Sequence, residues 1–165
     1  MSVPWKPDKS QLDEADKKLL ADVERYGWHC LHIRGLVGES TLPYWSFSIG
    51  LFQTWQHPEL VVFGLEQEQA HAVLGHLVDR IKTGERFSSG QDYSDILDGY
   101  LCRFIVVDPR WYSDFFGYAQ WFYETADGFP ALQLLLPDKE GRYPWDDGYA
   151  ITKGMQPILS EAAPE

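Results

Sequence analysis

The sequence predicts a single α+β domain in which a mostly antiparallel sheet is packed by about three helices. The chain has 165 residues, which is the size of one ordinary domain. Its segments follow one another as helix, three strands, helix, strand, helix and strand. No repeat or linker divides them, so we expect an arm at 1–9, one domain at 10–159 and a tail at 160–165. A partly closed, barrel-like sheet is the alternative that this order of elements leaves open.

The first half of the chain carries one amphipathic helix and three strands. Ser10 is a good N-cap, and the apolar residues after it recur at helical spacing until Gly27 ends the helix. Apolar runs at 28–34, 44–52 and 59–65 then predict three strands, the last of them buried. We expect the helices to cover one face of the resulting sheet.

The second half of the chain continues this pattern. An apolar stripe at 70–81 predicts the second helix, and the turn-rich segment SSGQDYSD separates it from a strand at 100–108. Asp108 and Pro109 form a cap and a first-turn proline that open an aromatic third helix. A last strand at 129–137 leads into a loop rich in proline, glycine and aromatic residues.

Charge and cysteine content limit the partners and the compartment. Fourteen basic and twenty-five acidic side chains give a net charge of −11, which repels nucleic-acid phosphate and anionic lipid. We therefore expect no nucleic-acid and no membrane partner. The amino terminus lacks the apolar run of a signal peptide, so a cytoplasmic location is predicted. Cys30 and Cys102 lie in apolar strand-like runs and are interpreted as unlinked core residues.

The 137–149 loop, PDKEGRYPWDDGY, is the strongest candidate for a binding surface. It alternates aromatic rings with carboxylates, a combination that offers apolar faces beside hydrogen-bond acceptors. The predicted ligand- or partner-binding residues are Asp138, Tyr143, Trp145, Asp146, Asp147 and Tyr149. A structural interpretation competes with this one: Asp138 opens a turn through to Gly141, and Trp145 covers the end of the sheet.

His57 and Glu59 flank Pro58 at the start of a predicted buried strand, and together with Asp138 they are weak catalytic candidates. Their convergence in one site would indicate a hydrolase-like enzyme. The competing interpretation is that His57 hydrogen-bonds a loop carbonyl and that Glu59 faces solvent or caps a turn. Neither a nucleophile elbow nor a glycine-rich phosphate loop accompanies them in the sequence, which favours this second interpretation.

The histidines do not predict a metal site. His71 and His76 are five residues apart on a predicted helix and diverge around its axis, whereas helical ligand pairs usually lie three or four apart. His29 and His32 are three apart on a predicted strand and so point to opposite faces. We expect neither a metal ion nor a cofactor.

The third helix carries more rings than one buried stripe requires. Trp111, Tyr112, Phe116 and Trp121 are the rings that a neighbouring chain would contact, which makes a homodimer through an aromatic surface one expectation. Core packing is the commoner explanation of such a helix.

The strings FSIGL, HPELVVFGL, LQLLLPDKEGRYPWDDGY and QPIL together resemble an uncharacterised bacterial family, the domain of unknown function numbered 4262. The resemblance covers roughly 26–159 and implies a single bacterial cytoplasmic domain, but it carries over no activity and no catalytic residue. The leading hypothesis is therefore a non-catalytic binding module that uses the 137–149 loop to hold a protein segment or a small ligand. The alternatives are the hydrolase-like enzyme and a flavin-binding split barrel.

Overall fold

Six strands form one sheet, and helices connect and cover them. The computed structural model describes residues 12–33, 44–97, 99–138, 140–143, 146–147 and 156–159. In chain order its elements are α1 (Glu14–Tyr26), β1 (His29–Ile33), β2 (Trp45–Ile49), α2 (Leu51–Trp55), β3 (Glu59–Phe63), α3 (Gln67–Lys82), β4 (Asp92–Leu97), β5 (Tyr100–Val106), α4 (Tyr112–Phe115), α5 (Gly117–Tyr123) and β6 (Ala131–Leu135). A 3₁₀ turn, Pro109–Trp111, precedes α4.

The strand order across the sheet is β1, β2, β3, β6, β5 and β4. Every neighbouring pair is antiparallel except β3 and β6, which run parallel with Glu59 opposite Ala131. The predicted α+β domain with a mostly antiparallel sheet is confirmed. The barrel-like alternative is wrong, because in the described part of the chain β1 and β4 are the two edges of an open sheet and do not pair with each other.

Helices cover both faces of the sheet, which corrects the expectation that they cover only one. One core cluster joins α1, α4 and α5 to side chains of β2 and β3 such as Phe47 and Phe63. The other joins α3 to Leu60, Val62 and Leu134 on the opposite face. Alternation along β3 produces this division, since odd-numbered positions face one cluster and even-numbered positions face the other.

The first helix ends where the sequence predicts, and it begins at a capping box formed by Asp13 and Asp16. Gly27 ends α1 in the left-handed conformation, with φ of 89°. Asp13 is the N-cap: its carboxylate accepts from the Asp16 backbone N–H, and the Asp16 carboxylate accepts from the Asp13 N–H. The prediction of Ser10 as the N-cap is therefore wrong, and Ser10 itself lies outside the described residues.

Three segments differ from the prediction. The strand expected at 44–52 stops at Ile49, because Gly50, with φ of 109°, turns the chain into α2. The segment interpreted as a turn-rich loop contains β4, an edge strand without a buried residue. Its polar sequence does not form the apolar run by which the other strands are predicted. The aromatic third helix is broken at Phe116, whose ring is fully buried.

The aromatic rings that were expected at a surface for a neighbouring chain lie in or against the core of this chain. Tyr112, Phe116 and Trp121 are buried, and Trp111 is half-buried against the same cluster. The rings of Tyr112 and Phe129 stack with centroids 4.7 Å apart. These rings therefore fill the space between the α4–α5 segment and the sheet.

Cys30 and Cys102 are free, as predicted, with Cys102 buried and Cys30 half-buried. Among the helices of the described chain, none combines the length and the apolar character that a bilayer crossing requires.

Candidate functional site

The predicted site residues lie at opposite ends of the sheet. Glu59 begins β3, whereas Asp138 comes after the end of β6. Because β3 and β6 are parallel and Glu59 is opposite Ala131, the seven steps along the chain from Ala131 to Asp138 carry it about 20 Å away at the usual strand rise. The structure therefore does not bring Glu59 and Asp138 together.

A cavity of about 540 Å³ lies at the Asp138 end. Its walls come from the end of β3, the β4–β5 turn and the chain leaving β6. The apolar residues that line it are Phe63, Leu65, Leu97, Tyr100, Leu136 and Pro137. The polar residues at its rim are Asp138, Glu140, Arg142 and Gln156. An apolar body with a few convergent polar groups is typical of small-molecule sites.

Asp138 organises the turn at the rim of this cavity. Its Oδ1 accepts from the backbone N–H groups of Glu140 and Arg142, at 2.9 and 2.8 Å. Its Oδ2 accepts from the Arg142 Nε at 2.9 Å. The Asp138 carbonyl oxygen also accepts from the Gly141 N–H, which closes the turn. The geometry matches the predicted turn through to Gly141, and the carboxylate is buried inside it.

Tyr143 fixes this turn to the sheet. Its hydroxyl donates to the Leu101 carbonyl oxygen at 2.6 Å, and the Arg103 guanidinium lies over its ring at 5.0 Å. Its backbone N–H donates to Asp146 Oδ2 at 2.9 Å. Burial raises the pKa of Tyr143, so the hydroxyl stays protonated and donates.

The other predicted loop residues divide into two groups. Asp147 is exposed, and Asp146 caps the backbone of Tyr143. Trp145 and Tyr149 lie outside the described residues.

Two glutamines that the sequence analysis did not select attach the 156–159 segment to β6. Gln156 exchanges two hydrogen bonds with the backbone of Leu136, of 2.8 and 2.9 Å. Gln133 donates to the Pro157 carbonyl oxygen and accepts from the Leu159 N–H. A single polar residue inside the apolar run LQLLL was the available signal, since a buried amide requires partners.

At the opposite end, a buried carboxylate joins β2, α2, β3 and α5. Glu59 Oε1 accepts from Ser48 Oγ at 2.7 Å and from the Leu51 N–H at 3.2 Å. Glu59 Oε2 accepts from the N–H groups of Gly50 and Phe52, both at 3.1 Å, and from the Tyr123 hydroxyl. Burial raises the pKa of Glu59, and these hydrogen bonds oppose that rise.

His57 lies near the same end of the sheet but packs against the other core cluster. Its Nδ1 donates to the Pro58 carbonyl oxygen at 2.8 Å, and its Nε2 accepts from the Phe87 N–H at 3.0 Å. Both ring nitrogens are thus used by a neutral imidazole, and burial lowers the pKa of His57. Among the described residues, no hydrogen bond joins His57 to Glu59.

Comparison with known proteins agrees with three of the four strings singled out above, and the fourth, QPIL at 156–159, lies beyond the matched residues. The profile of the family described as "Domain of unknown function (DUF4262)" matches residues 22–150. The chain belongs to this family. A search of curated proteins and of solved structures found no match.

Within this DUF4262 domain, the matched region contains both the Glu59 and the Asp138 ends of the sheet. It also contains a side-chain group that the sequence analysis did not assemble. Cys30 and His32 are two apart on β1 and face the same side of the sheet, and His71 comes from α3. Histidine spacing alone does not indicate this group, whereas the alternation Cys-x-His on a strand is a signal for it in the sequence.

Proposed function

We propose that the domain is a binding module for a small, largely apolar molecule that carries a carboxylate at one end. The observation behind this proposal is the cavity of about 540 Å³ between the end of β3 and the 138–142 turn. This volume lies within the range of roughly 300–1,000 Å³ that is usual for ligand sites. Its apolar wall suits a hydrocarbon or aryl body, which gains free energy when it leaves water.

Arg142 provides the charge complement for the acid group. Its Nε is paired with Asp138, whereas in the described part of the chain its Nη groups have no hydrogen-bond acceptor. Its side chain is 38% exposed and lines the cavity rim. The oxygens of Asp138 already accept three hydrogen bonds, so the Nη groups of Arg142 are the donors that an oxygen acceptor on the ligand would match.

The separation of the weak catalytic candidates favours binding over acid–base catalysis. Glu59 and Asp138 are about 20 Å apart along the sheet by strand rise, and both nitrogens of His57 are occupied by backbone groups. A general base must reach the proton that it removes, and these three side chains do not share a cavity.

We further propose that the protein functions in the bacterial cytoplasm. Free cysteines and the acidic composition support this assignment, because thiols stay reduced in that compartment.

Decanoate and decylamine are suitable probes because they share an apolar chain and differ in the sign of the head group. Isothermal titration with the full chain should show that decanoate binds at least about tenfold more tightly than decylamine, a difference of about 1.4 kcal/mol. Arg142→Gln should abolish this preference while weak binding of the apolar chain persists.

Leu97→Trp, which fills the apolar wall, should weaken both probes. Arg110→Gln is the matched control, since Arg110 is an exposed arginine beside Asp108, outside the residues that line the cavity. Decanoate binding that is unaffected by Leu97→Trp, or a preference for decylamine, would contradict the proposal.

A further inference from the structure

We propose that Cys30, His32 and His71 form a zinc-binding site between the edge strand β1 and helix α3. One ligand atom from each residue lies within 4.8 Å of the other two. This site lies on a different part of the sheet from the cavity described above, and it does not depend on the proposed ligand.

The strand supplies two ligands in a fixed relation. Residues two apart on a strand project from the same face, so Cys30 and His32 are adjacent on the side of β1 that α3 covers. Cys30 Sγ lies 3.6 Å from His32 Nε2. Tetrahedral zinc with usual Zn–S and Zn–N bonds of about 2.3 and 2.05 Å requires a sulfur–nitrogen separation of about 3.6 Å. The pair already has this separation.

Ser46 holds the His32 ring in the orientation that a metal ligand needs. Ser46 is the direct cross-strand partner of His32, it is buried, and its Oγ lies 2.6 Å from His32 Nδ1. With Nδ1–H donating to this hydroxyl, the Nε2 lone pair is directed toward Cys30. Histidine ligands of metals are usually oriented in this way by a hydrogen bond at the other ring nitrogen.

The helix supplies the third ligand. His71 lies in the second turn of α3, and its ring centroid is 6.1 Å from that of His32 and 6.0 Å from that of Trp28. Its side chain is exposed and can rotate, so closing the remaining distance does not require movement of the backbone. The described residues thus provide three ligands, the number in catalytic zinc sites, where water or a substrate takes the fourth position.

Zinc binding by this ligand set is coupled to release of a proton. Thiolate, not thiol, is the ligand of zinc, so the Cys30 proton must leave when the metal binds. The number of protons released on zinc binding can therefore be measured in addition to the zinc affinity.

The experiment is a zinc titration of the chelator-treated full chain by isothermal calorimetry at pH 7.5. We expect one equivalent of Zn²⁺ to bind with release of about one proton, measured in two buffers of different ionisation enthalpy. Co²⁺ in the same site should show a thiolate-to-metal absorption band. Cys30→Ala should remove the band, whereas the control Cys102→Ala should keep it.

His71→Ala tests the site without disturbing the core, because the residue is exposed. Loss of a residue that hydrogen-bonds a metal ligand, as Ser46 does to His32, usually weakens metal binding about 10–100-fold. Loss of the ligand His71 itself should therefore weaken zinc binding by at least about 100-fold. His76→Ala is the matched control, an exposed histidine on the same helix. It should leave zinc affinity unchanged, and circular dichroism should show both variants folded.

Three results would overturn the proposal. The first is no stoichiometric zinc binding by the parent chain. The second is zinc binding that His71→Ala and His76→Ala weaken equally or not at all. The third is binding of Cu²⁺ without Zn²⁺, because one cysteine and two histidines are also the ligand set of blue-copper sites.

Discussion

Glu59 and Asp138 are both buried carboxylates that accept backbone N–H groups at a turn, but they organise different amounts of structure. Glu59 takes its donors from Ser48, from the start of α2 and from Tyr123, so it connects four elements. The donors to Asp138 in the described loop all lie within four residues of it. Among the described contacts, Glu59 connects four elements of the fold and Asp138 closes one turn.

The number of elements that a buried carboxylate connects indicates whether it serves to hold the fold together or belongs to a site that can adjust. A group that connects several elements cannot move without disturbing the core, whereas a group that closes one turn beside a cavity can adjust to a ligand. The Asp138 end also has the cavity and the partly exposed Arg142. These contacts support the proposal that recognition occurs at the Asp138 end, and they give Glu59 a structural role.

The largest expected effect is that of Glu59→Ala. Removal of the carboxylate leaves three backbone N–H groups and two hydroxyls without their acceptor in a buried region, so the free energy of unfolding should fall by about 3–5 kcal/mol. Urea denaturation followed by circular dichroism measures this change.

Glu24→Ala is the control for this variant, because Glu24 is an exposed glutamate on α1. Its effect should stay within about 0.5 kcal/mol. Equal stability of the two variants would show that Glu59 does not hold the four elements together.

The same comparison explains how far the sequence could predict the structure. The Asp138 turn follows from local spacing, since an aspartate with a glycine three residues later is a recognised turn pattern. The acceptor role of Glu59 required knowledge that Tyr123, 64 residues away, packs on the same face. Local patterns contain no such information.

Polar character also limited the prediction. Apolar runs do not indicate the edge strand β4, because its side chains are exposed or half-buried. Gln133 lies within a run that predicts only an apolar strand, so its hydrogen bonds to the 156–159 segment are not predicted. The Cys30 and His32 pair was visible in the sequence as alternate strand positions, but His71 approaches it only because α3 crosses that face of the sheet.

Asp138→Ala should have a smaller and more local effect than Glu59→Ala. Loss of three accepted hydrogen bonds in one turn should lower the free energy of unfolding by about 2 kcal/mol. Hydrogen exchange should accelerate at 140–143 and remain slow in β3. Asp147→Ala, an exposed neighbour, is the control. Loss of exchange protection throughout the sheet would contradict the local role of Asp138.

Acid sensitivity should belong to the Glu59 end, because His57 lies there. His57 must stay neutral to accept from the Phe87 N–H, and burial lowers its pKa below the ordinary value of 6.5. Below pH 6.5 the unfolded chain therefore binds a proton that the folded chain does not, and stability falls as pH decreases, by up to about 1.4 kcal/mol per pH unit.

His57→Gln removes this titration, so urea midpoints between pH 7.5 and 5.5 should decline less steeply in the variant than in the parent. The pKa values of His29 and His32 are also lowered by burial, and their contribution should remain in both chains. Identical slopes would mean that His57 has the same pKa in the folded and the unfolded chain, which would contradict its role as a neutral acceptor.

The smallest predicted effect is that of Tyr123→Phe, which removes one donor from Glu59 and keeps the ring. Burial and the adjacent Glu59 raise the pKa of Tyr123, so its hydroxyl is protonated and donates to the carboxylate. Loss of this hydrogen bond should cost about 1 kcal/mol, because the backbone N–H groups and Ser48 still satisfy Glu59. Tyr26→Phe, at an exposed ring, should cost nothing measurable. If Tyr123→Phe cost as much as Glu59→Ala, the stabilising effect of the Glu59 carboxylate would depend on the Tyr123 hydroxyl alone and not on all of its donors. Glu59 and Asp138 would then differ in how far along the chain their donors lie, and not in the number of elements that they connect.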